Sequence, residues 1–249
     1  MARRRKVDWG RVMAHLRRKA AAGDIQAITE LGLNLFEGIQ DQNGRTLVRQ
    51  NAPYAVRLFR RAAEAGDGSA AGSLGFAYDV GRGIRSNKKL ALKWYRRAAR
   101  SGNSAAANNI STVYRDFGDL RRAHSWMMRA VEMEDTDAAV NAGYNYFHGI
   151  GVRRNAGAAR RLFEQALHGV DTSGYGREEA LYNLALADIG DGNRESAIQF
   201  LERANRDDDY PEATALLAQL RSEAELTPCL CRRHLNKSLL GHARCPVHP

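Results

Sequence analysis

The chain has 249 residues, 44% of them hydrophobic and only five of them proline, which is enough for a substantial core or for several units sharing one. No apolar run is long enough to span a bilayer, and the main body lacks the composition of a disordered segment. The formal net charge of +10 and the pI near 9.8 permit nucleic acid, anionic lipid or an acidic protein as partner, and establish none of them.

The chain opens with MARRRKVDWGRVMAHLRRKAAAG, which is basic but has neither a continuous apolar stretch nor a clear cleavage site. It is not a secretory signal. Trp9, Val12, Met13 and Leu16 have the spacing of a basic capping helix over residues 1–22, with an Arg-rich transit peptide as the lesser alternative. From residue 23 the chain begins to repeat itself. AVRLFRRAAEAG, Ala55 to Gly66, returns as ALKWYRRAARSG, Ala91 to Gly102, with the closing glycines 36 residues apart. A fixed period of this size predicts stacked helical pairs, each using the next as a lid for its apolar face.

The underlying template is Ala, then a large residue at i+3, an apolar one at i+4 and Ala at i+7. It recurs as Ala55/Leu58/Phe59/Ala62, Ala91/Trp94/Tyr95/Ala98, Ala123/Trp126/Met127/Ala130, Ala159/Leu162/Phe163/Ala166 and Ala197/Phe200/Leu201/Ala204. That spacing lies on one helix face. A partner helix precedes each set, marked by Leu31-Gly32, Leu74-Gly75, Ile110 with Tyr114, Ala142-Gly143 with Tyr146, and Leu184. Glycines in YDVGRGI, Tyr78 to Ile84, and YFHGIGV, Tyr146 to Val152, stop a helix and reverse the chain. Shorter turns are predicted at Gly118-Asp119 and Gly192-Asn193. The segment DQNGRTLVRQN, Asp41 to Asn51, is a polar insertion read either as a flexible excursion or as a contact loop.

SLGFAYDVGRGI followed by ALKWYRRAARSGN resembles a Sel-1-like repeat, whose pattern is roughly A-x-x-L-G-x-x-Y-x-x-G-x-G-V and then K-A-x-x-W-Y-x-x-A-A-x-x-G. The match is close in 71–103, good in 139–169 and recognisable in 27–66, where Gln40 stands for the second loop glycine. The repeats at 104–134 and 177–208 lack the long glycine loop and look more like the sister tetratricopeptide family. The resemblance implies an all-α fold, a right-handed α-solenoid of about five antiparallel helix pairs over residues 23–222, followed by a Cys/His-rich tail over 223–249. It also implies an adaptor role with no shared chemistry, in signalling, assembly or toxin neutralisation.

The body of the chain carries no recognisable catalytic motif. Gly81-Arg82-Gly83 is half of a phosphate fingerprint with no strand before it, so turn glycines are the better reading. His148 has no nucleophile or carboxylate partner at helical spacing. Asp207-Asp208-Asp209 precedes an apolar series at Ala213, Leu216, Leu217 and Leu220, and capping of a last helix accounts for it. The body therefore reads as non-catalytic.

Binding candidates come from register. The residues before the inward markers include Asn109, Asn141 and Asn183, a ladder whose amides offer both donor and acceptor to an extended peptide. The alternative is that they tie neighbouring helices together. Two residues after the markers come Phe76, Thr112, Tyr144 and Leu186, of which Phe76 and Tyr144 are aromatic floor candidates. Arg60-Arg61, Arg96-Arg97 and Arg129 recur on the second helices, as a solvated face or as a stripe for an acidic or phosphate-bearing partner. Interleaved aromatics for base stacking are not evident, which counts against single-stranded nucleic acid.

The tail CLCRRHLNKSLLGHARCPVHP holds every cysteine of the chain and three of its seven histidines. Cys231-x-x-His234 and Cys245-x-x-His248 share a gap that lets a tight turn aim two ligands at one ion, so structural zinc is expected there, with Cys229 and His242 in reserve. The alternatives are an unstructured basic tail or a redox-active pair at Cys229 and Cys231. With no cysteine in the body, a reducing cytoplasm is the natural compartment. The resulting expectation is a cytoplasmic scaffold for a protein or peptide partner, an acidic one being the sharper version, without membrane attachment. An immunity or inhibitor protein and a nucleic-acid-associated protein using the basic surface and zinc tail are the alternatives.

Overall fold

The computed structural model describes residues 7–169, 174–206 and 210–225, and these form twelve helices and one small hairpin. The chain divides into two compact units, Met1–Asn155 and Ala156–Pro249.

In the first unit, helix α1 (Trp9–Ala21) precedes three complete helix pairs: α2 (Ile25–Glu37) with α3 (Ala52–Glu64), α4 (Gly68–Val80) with α5 (Lys88–Arg100), and α6 (Ser104–Asp116) with α7 (Leu120–Glu132). Helix α8 (Thr136–His148) follows. The i, i+4 and i+7 members of the sequence template are the core: Ala55, Phe59 and Ala62, then Ala91, Tyr95 and Ala98, lie fully buried. The i+3 member varies more. Leu58 is buried, whereas Trp94 and Trp126 are only half-buried, so the large residue in the second repeat's core is Tyr95 rather than Trp94.

Each first helix starts on a side-chain cap. Asp24, Asp67, Asn103 and Asp135 accept from the backbone N–H of Ala27, Ala70, Ala106 and Ala138, satisfying a donor that the helix itself cannot pair. The residue before each cap has positive φ, at 90° for Gly23, 106° for Gly66, 92° for Gly102 and 63° for Glu134. Glu134 holds with a side chain the backbone turn that glycine holds in the other three. The long loops close differently. A Cβ on Gly83 would come within 2.5 Å of the Ala52 carbonyl carbon, and one on Gly151 within 2.3 Å of the Leu120 carbonyl oxygen. The second glycine of each long loop thus rests against the start of the preceding second helix, where no side chain fits.

The polar insertion is a hairpin in part. Strands β1 (Ile39–Gln40) and β2 (Thr46–Val48) pair antiparallel, and the Asp41 carboxylate accepts from the backbone N–H of Asn43 and Arg45. Val48 is buried, which anchors the insertion to the unit.

The second unit contains α9 (Ala156–His168), α10 (Gly174–Gly190), α11 (Arg194–Ala204) and α12 (Pro211–Glu225). Leu181, Leu201, Tyr210, Leu216 and Leu220 form its core with Ala185, Ala197 and Ala213. The acidic run at 207–209 and the tail from 226 lie outside the described residues.

Candidate partner-binding surface

The first helices of the first unit line a groove. Leu33, Phe36 and Glu37 come from α2, Ser69, Gly72, Ser73 and Phe76 from α4, and Asn103, Ala105, Ala106 and Asn109 from the start of α6, around a cavity of about 240 Å³. Leu33 and Phe76 occupy the same repeat position and remain 41% and 40% exposed. Apolar side chains of this size left open side by side mark a contact surface more often than an isolated one does. The Phe36 ring meets Phe76 edge to face, with centroids 6.2 Å apart.

Beside the groove wall, at the end of α2, stands an arginine that the sequence marks only as part of a turn. The Arg82 guanidinium lies 4.4 Å from the Phe36 ring centroid, donates to the Phe36 carbonyl at 2.6 Å and pairs with Glu37 at 3.1 Å. A cation over the last carbonyls of α2 complements the negative end of that helix. The Gln50 amide donates to the same carbonyl at 2.9 Å, tying the end of the hairpin segment to the groove wall. No spacing signal marks Arg82, which acts across repeats, or Gln50, which acts across the insertion of its own repeat.

The predicted site residues separate as follows. Phe76 and Asn109 share the groove. Asn141 is exposed on α8 and donates to the Asp137 carbonyl of its own helix at 2.9 Å. Asn183, on α10 of the second unit, is buried and donates to Glu179 of its own helix at 2.8 Å. Tyr144 is exposed outside the groove, its ring 4.2 Å from that of His148. Partial burial and the Arg154 charge pull the His148 imidazole below its ordinary pKa. Cys229, Cys231, His234, His242, Cys245 and His248 lie outside the described residues, and among the described residues no cluster of His, Cys, Asp or Glu is suited to a metal. A wider, open hollow of about 700 Å³ sits between Phe117–Arg121 and Gly149–Arg153 and contains none of the predicted residues.

The basic stripe is thinner than its sequence. Arg60, itself exposed, and half-buried Arg96 donate to the hydroxyls of Tyr78 and Tyr114 in the next repeat, at 3.0 and 2.6 Å. Arg61, Arg97 and Arg129 remain exposed on the second helices.

A protein-family model described as the Sel1 repeat matches residues 25–67, 69–103, 136–168 and 178–209. The chain belongs to the Sel1 repeat family. The last matched stretch corrects the reading of 177–208 as tetratricopeptide-like, since its short Gly192 turn does not take it out of the family; 104–135 falls between matched stretches. Among solved structures, a Sel1 repeat protein from Oxalobacter formigenes is similar with TM-score 0.64 and 24% identity, over 79% of each chain. A protective antigen of uropathogenic Escherichia coli with an SLR fold is similar with TM-score 0.59 and 23% identity, over 87% of this chain and 53% of the other. An immunity protein from Pseudomonas aeruginosa is similar with TM-score 0.50 and 16% identity, over 94% and 83%. At these identities the likeness is one of fold. The search of curated proteins found no match. Among the described residues no helix is long and apolar enough to cross a membrane.

Proposed function

We propose that this Sel1 repeat chain is a non-catalytic scaffold that binds an extended peptide segment of a protein partner along the groove of α2, α4 and α6. The observation that carries the reading is the pair of open apolar side chains, Leu33 and Phe76, beside the half-buried amide of Asn109 in one cavity. Apolar anchors supply affinity, and an amide able to donate and accept holds a backbone N–H and C=O in register. Affinity purification with mass spectrometry of the parent and of a Phe76→Ser, Asn109→Ala variant tests it. A stoichiometric partner held by the parent and lost by the folded variant supports the groove; retention of that partner refutes it. The immunity-type reading uses the same surface and is favoured if that partner is a toxin. We further propose that Cys231, His234, Cys245 and His248 of the tail hold a structural zinc ion, a reading supported by their spacing.

A further inference from the structure

Charge in the first unit is sorted by helix. The first helices carry few cations: α2 and α4 have no Lys or Arg at all, and α6 has only Arg115. Within the three helix pairs the second helices carry nearly all of them, and α5 (KKLALKWYRRAAR) has no acidic residue. On α3 and α7 the only acids are Glu64 and Glu132, each at the C-terminal end. We infer that the exposed face of α3, α5 and α7 is a binding surface for the phosphate backbone of nucleic acid, separate from the peptide groove.

The face is continuous across repeats. Arg97 of α5 donates to the Glu64 carbonyl at the end of α3, at 3.3 Å. Arg96 of α5 and Arg122 of α7 meet at Tyr114, one on its hydroxyl and the other 5.6 Å from its ring centroid. Several of the cations that remain outward are held on rings. Arg97 and Arg129 lie 5.8 and 5.2 Å from the centroids of Trp94 and Trp126, and Arg57 lies 5.1 Å from that of Tyr54. A guanidinium resting on an aromatic ring keeps N–H donors available to solvent and loses less rotamer freedom on binding. Those donors match phosphate oxygens two at a time. Among the described residues, Arg57, Arg61, Lys93, Arg97, Arg100 and Arg129 form no ion pair with a carboxylate.

The chemistry selects among polyanions. A folded acidic protein requires apolar anchors at the centre of its contact; α5, the middle helix of the face, presents no exposed large apolar residue, and those of α3 and α7, Tyr54 and Leu120, stand at the N-terminal ends of their helices. A membrane surface requires side chains that insert, whereas both indoles are half-buried and covered by cations. A lack of interleaved aromatics counts against base stacking, not against a face that grips phosphates. There the indoles position arginines and leave the bases unread.

The test is fluorescence anisotropy with a short labelled single-stranded RNA, between ~50 and ~200 mM salt. Arg61→Gln, Arg97→Gln, Arg129→Gln is compared with a control of equal charge, Arg17→Gln, Arg45→Gln, Arg153→Gln, all six positions being exposed. The face variant is expected to bind at least ~10-fold more weakly, with the log–log salt slope smaller by about 2, while the control stays within ~3-fold of the parent. Because Arg97 also bonds the backbone, Arg61→Gln, Arg129→Gln serves if the triple variant melts early. Equal losses in face and control variants would reduce the effect to net charge and overturn the inference. No binding by the parent would overturn it too, as would equally tight binding of polyglutamate or of phosphatidylserine vesicles. None of these outcomes bears on the groove, whose variant leaves this face unchanged.

Discussion

Gly75 of α4 lies flat against the ring of Tyr95 on α5: a Cβ on Gly75 would come within 2.6 Å of the Tyr95 Cδ1 atom. The same fit is made between Gly32 and the Phe59 ring at 2.7 Å, so the Leu-Gly mark of the first helix is the socket for the buried ring of the second. Gly75→Ala is expected to destabilise by about 1–3 kcal/mol through overpacking, despite the gain in helix propensity. Tyr95→Ala is expected to cost about 3–5 kcal/mol, and Trp94→Ala well below that, because the indole is half-buried. Urea denaturation of the three variants checks the order; a Trp94 variant as unstable as the Tyr95 variant would contradict it.

Asp188 stands where other repeats have a tyrosine, and its cation, Arg160, comes from the position of Val56, Leu92 and His124 rather than from that of Arg60 and Arg96. Tyr78, Tyr114, Tyr146 and Asp188 share one repeat position, and the first two accept from Arg60 and Arg96. Asp188, with its side chain 2% exposed, accepts from Arg160, which also lies 3.5 Å from Asp191. Arg160→Met leaves a buried carboxylate without its cation and is expected to cost about 3–5 kcal/mol, whereas adding Asp188→Leu should recover most of the loss. Thermal melts of the single and double variants decide this, and a double variant no better than the single would refute it.

His124 is buried at 8% exposure, neither ring nitrogen has a hydrogen-bond partner among the described residues, and its ring sits edge-on to Tyr146 at 4.8 Å. Burial lowers its pKa below the ordinary 6.5, so the folded state binds fewer protons than the unfolded chain. Stability therefore falls as pH drops through 6.5, by up to ~1.4 kcal/mol per unit, until the folded-state pKa is passed. The equivalent residues are Val56 and Leu92, so His124→Leu is expected to fold and to be the more stable protein at pH ~5. Parallel parent and variant curves of stability against pH would show that His124 does not titrate this way.

Glu134 holds φ at 63°, where Gly23, Gly66 and Gly102 do the same task. Glu134→Gly is expected to stabilise by up to about 1 kcal/mol, the relief of left-handed strain exceeding the entropy that glycine adds to the unfolded chain. A lower melting temperature in the variant would contradict this.

For the tail, about one equivalent of zinc is expected in protein purified without a histidine tag, falling in a Cys231→Ser, Cys245→Ser variant. Less than about half an equivalent, unchanged by the substitutions, would remove the support for this site.

What the sequence determined by itself was periodic. Helix faces follow from local spacing, so the five Ala-based sets, the turn glycines and the family pattern were legible residue by residue. The hairpin was partly hidden, because Asp41 to Asn51 is polar and only Val48 ties it inward. Register also located Phe76 and Asn109, since first helices line one side of a stack. It could not show that Trp94 yields the core to Tyr95, because both fall within the same helical stripe and only the neighbouring Gly75 decides between them. Nor could it tell Arg60 and Arg96, bonded to tyrosines, from Arg61 and Arg97, or find Arg82 against the end of α2. Those assignments depend on contacts between helices, between residues 18 to 46 positions apart, and only the folded chain brings such residues together.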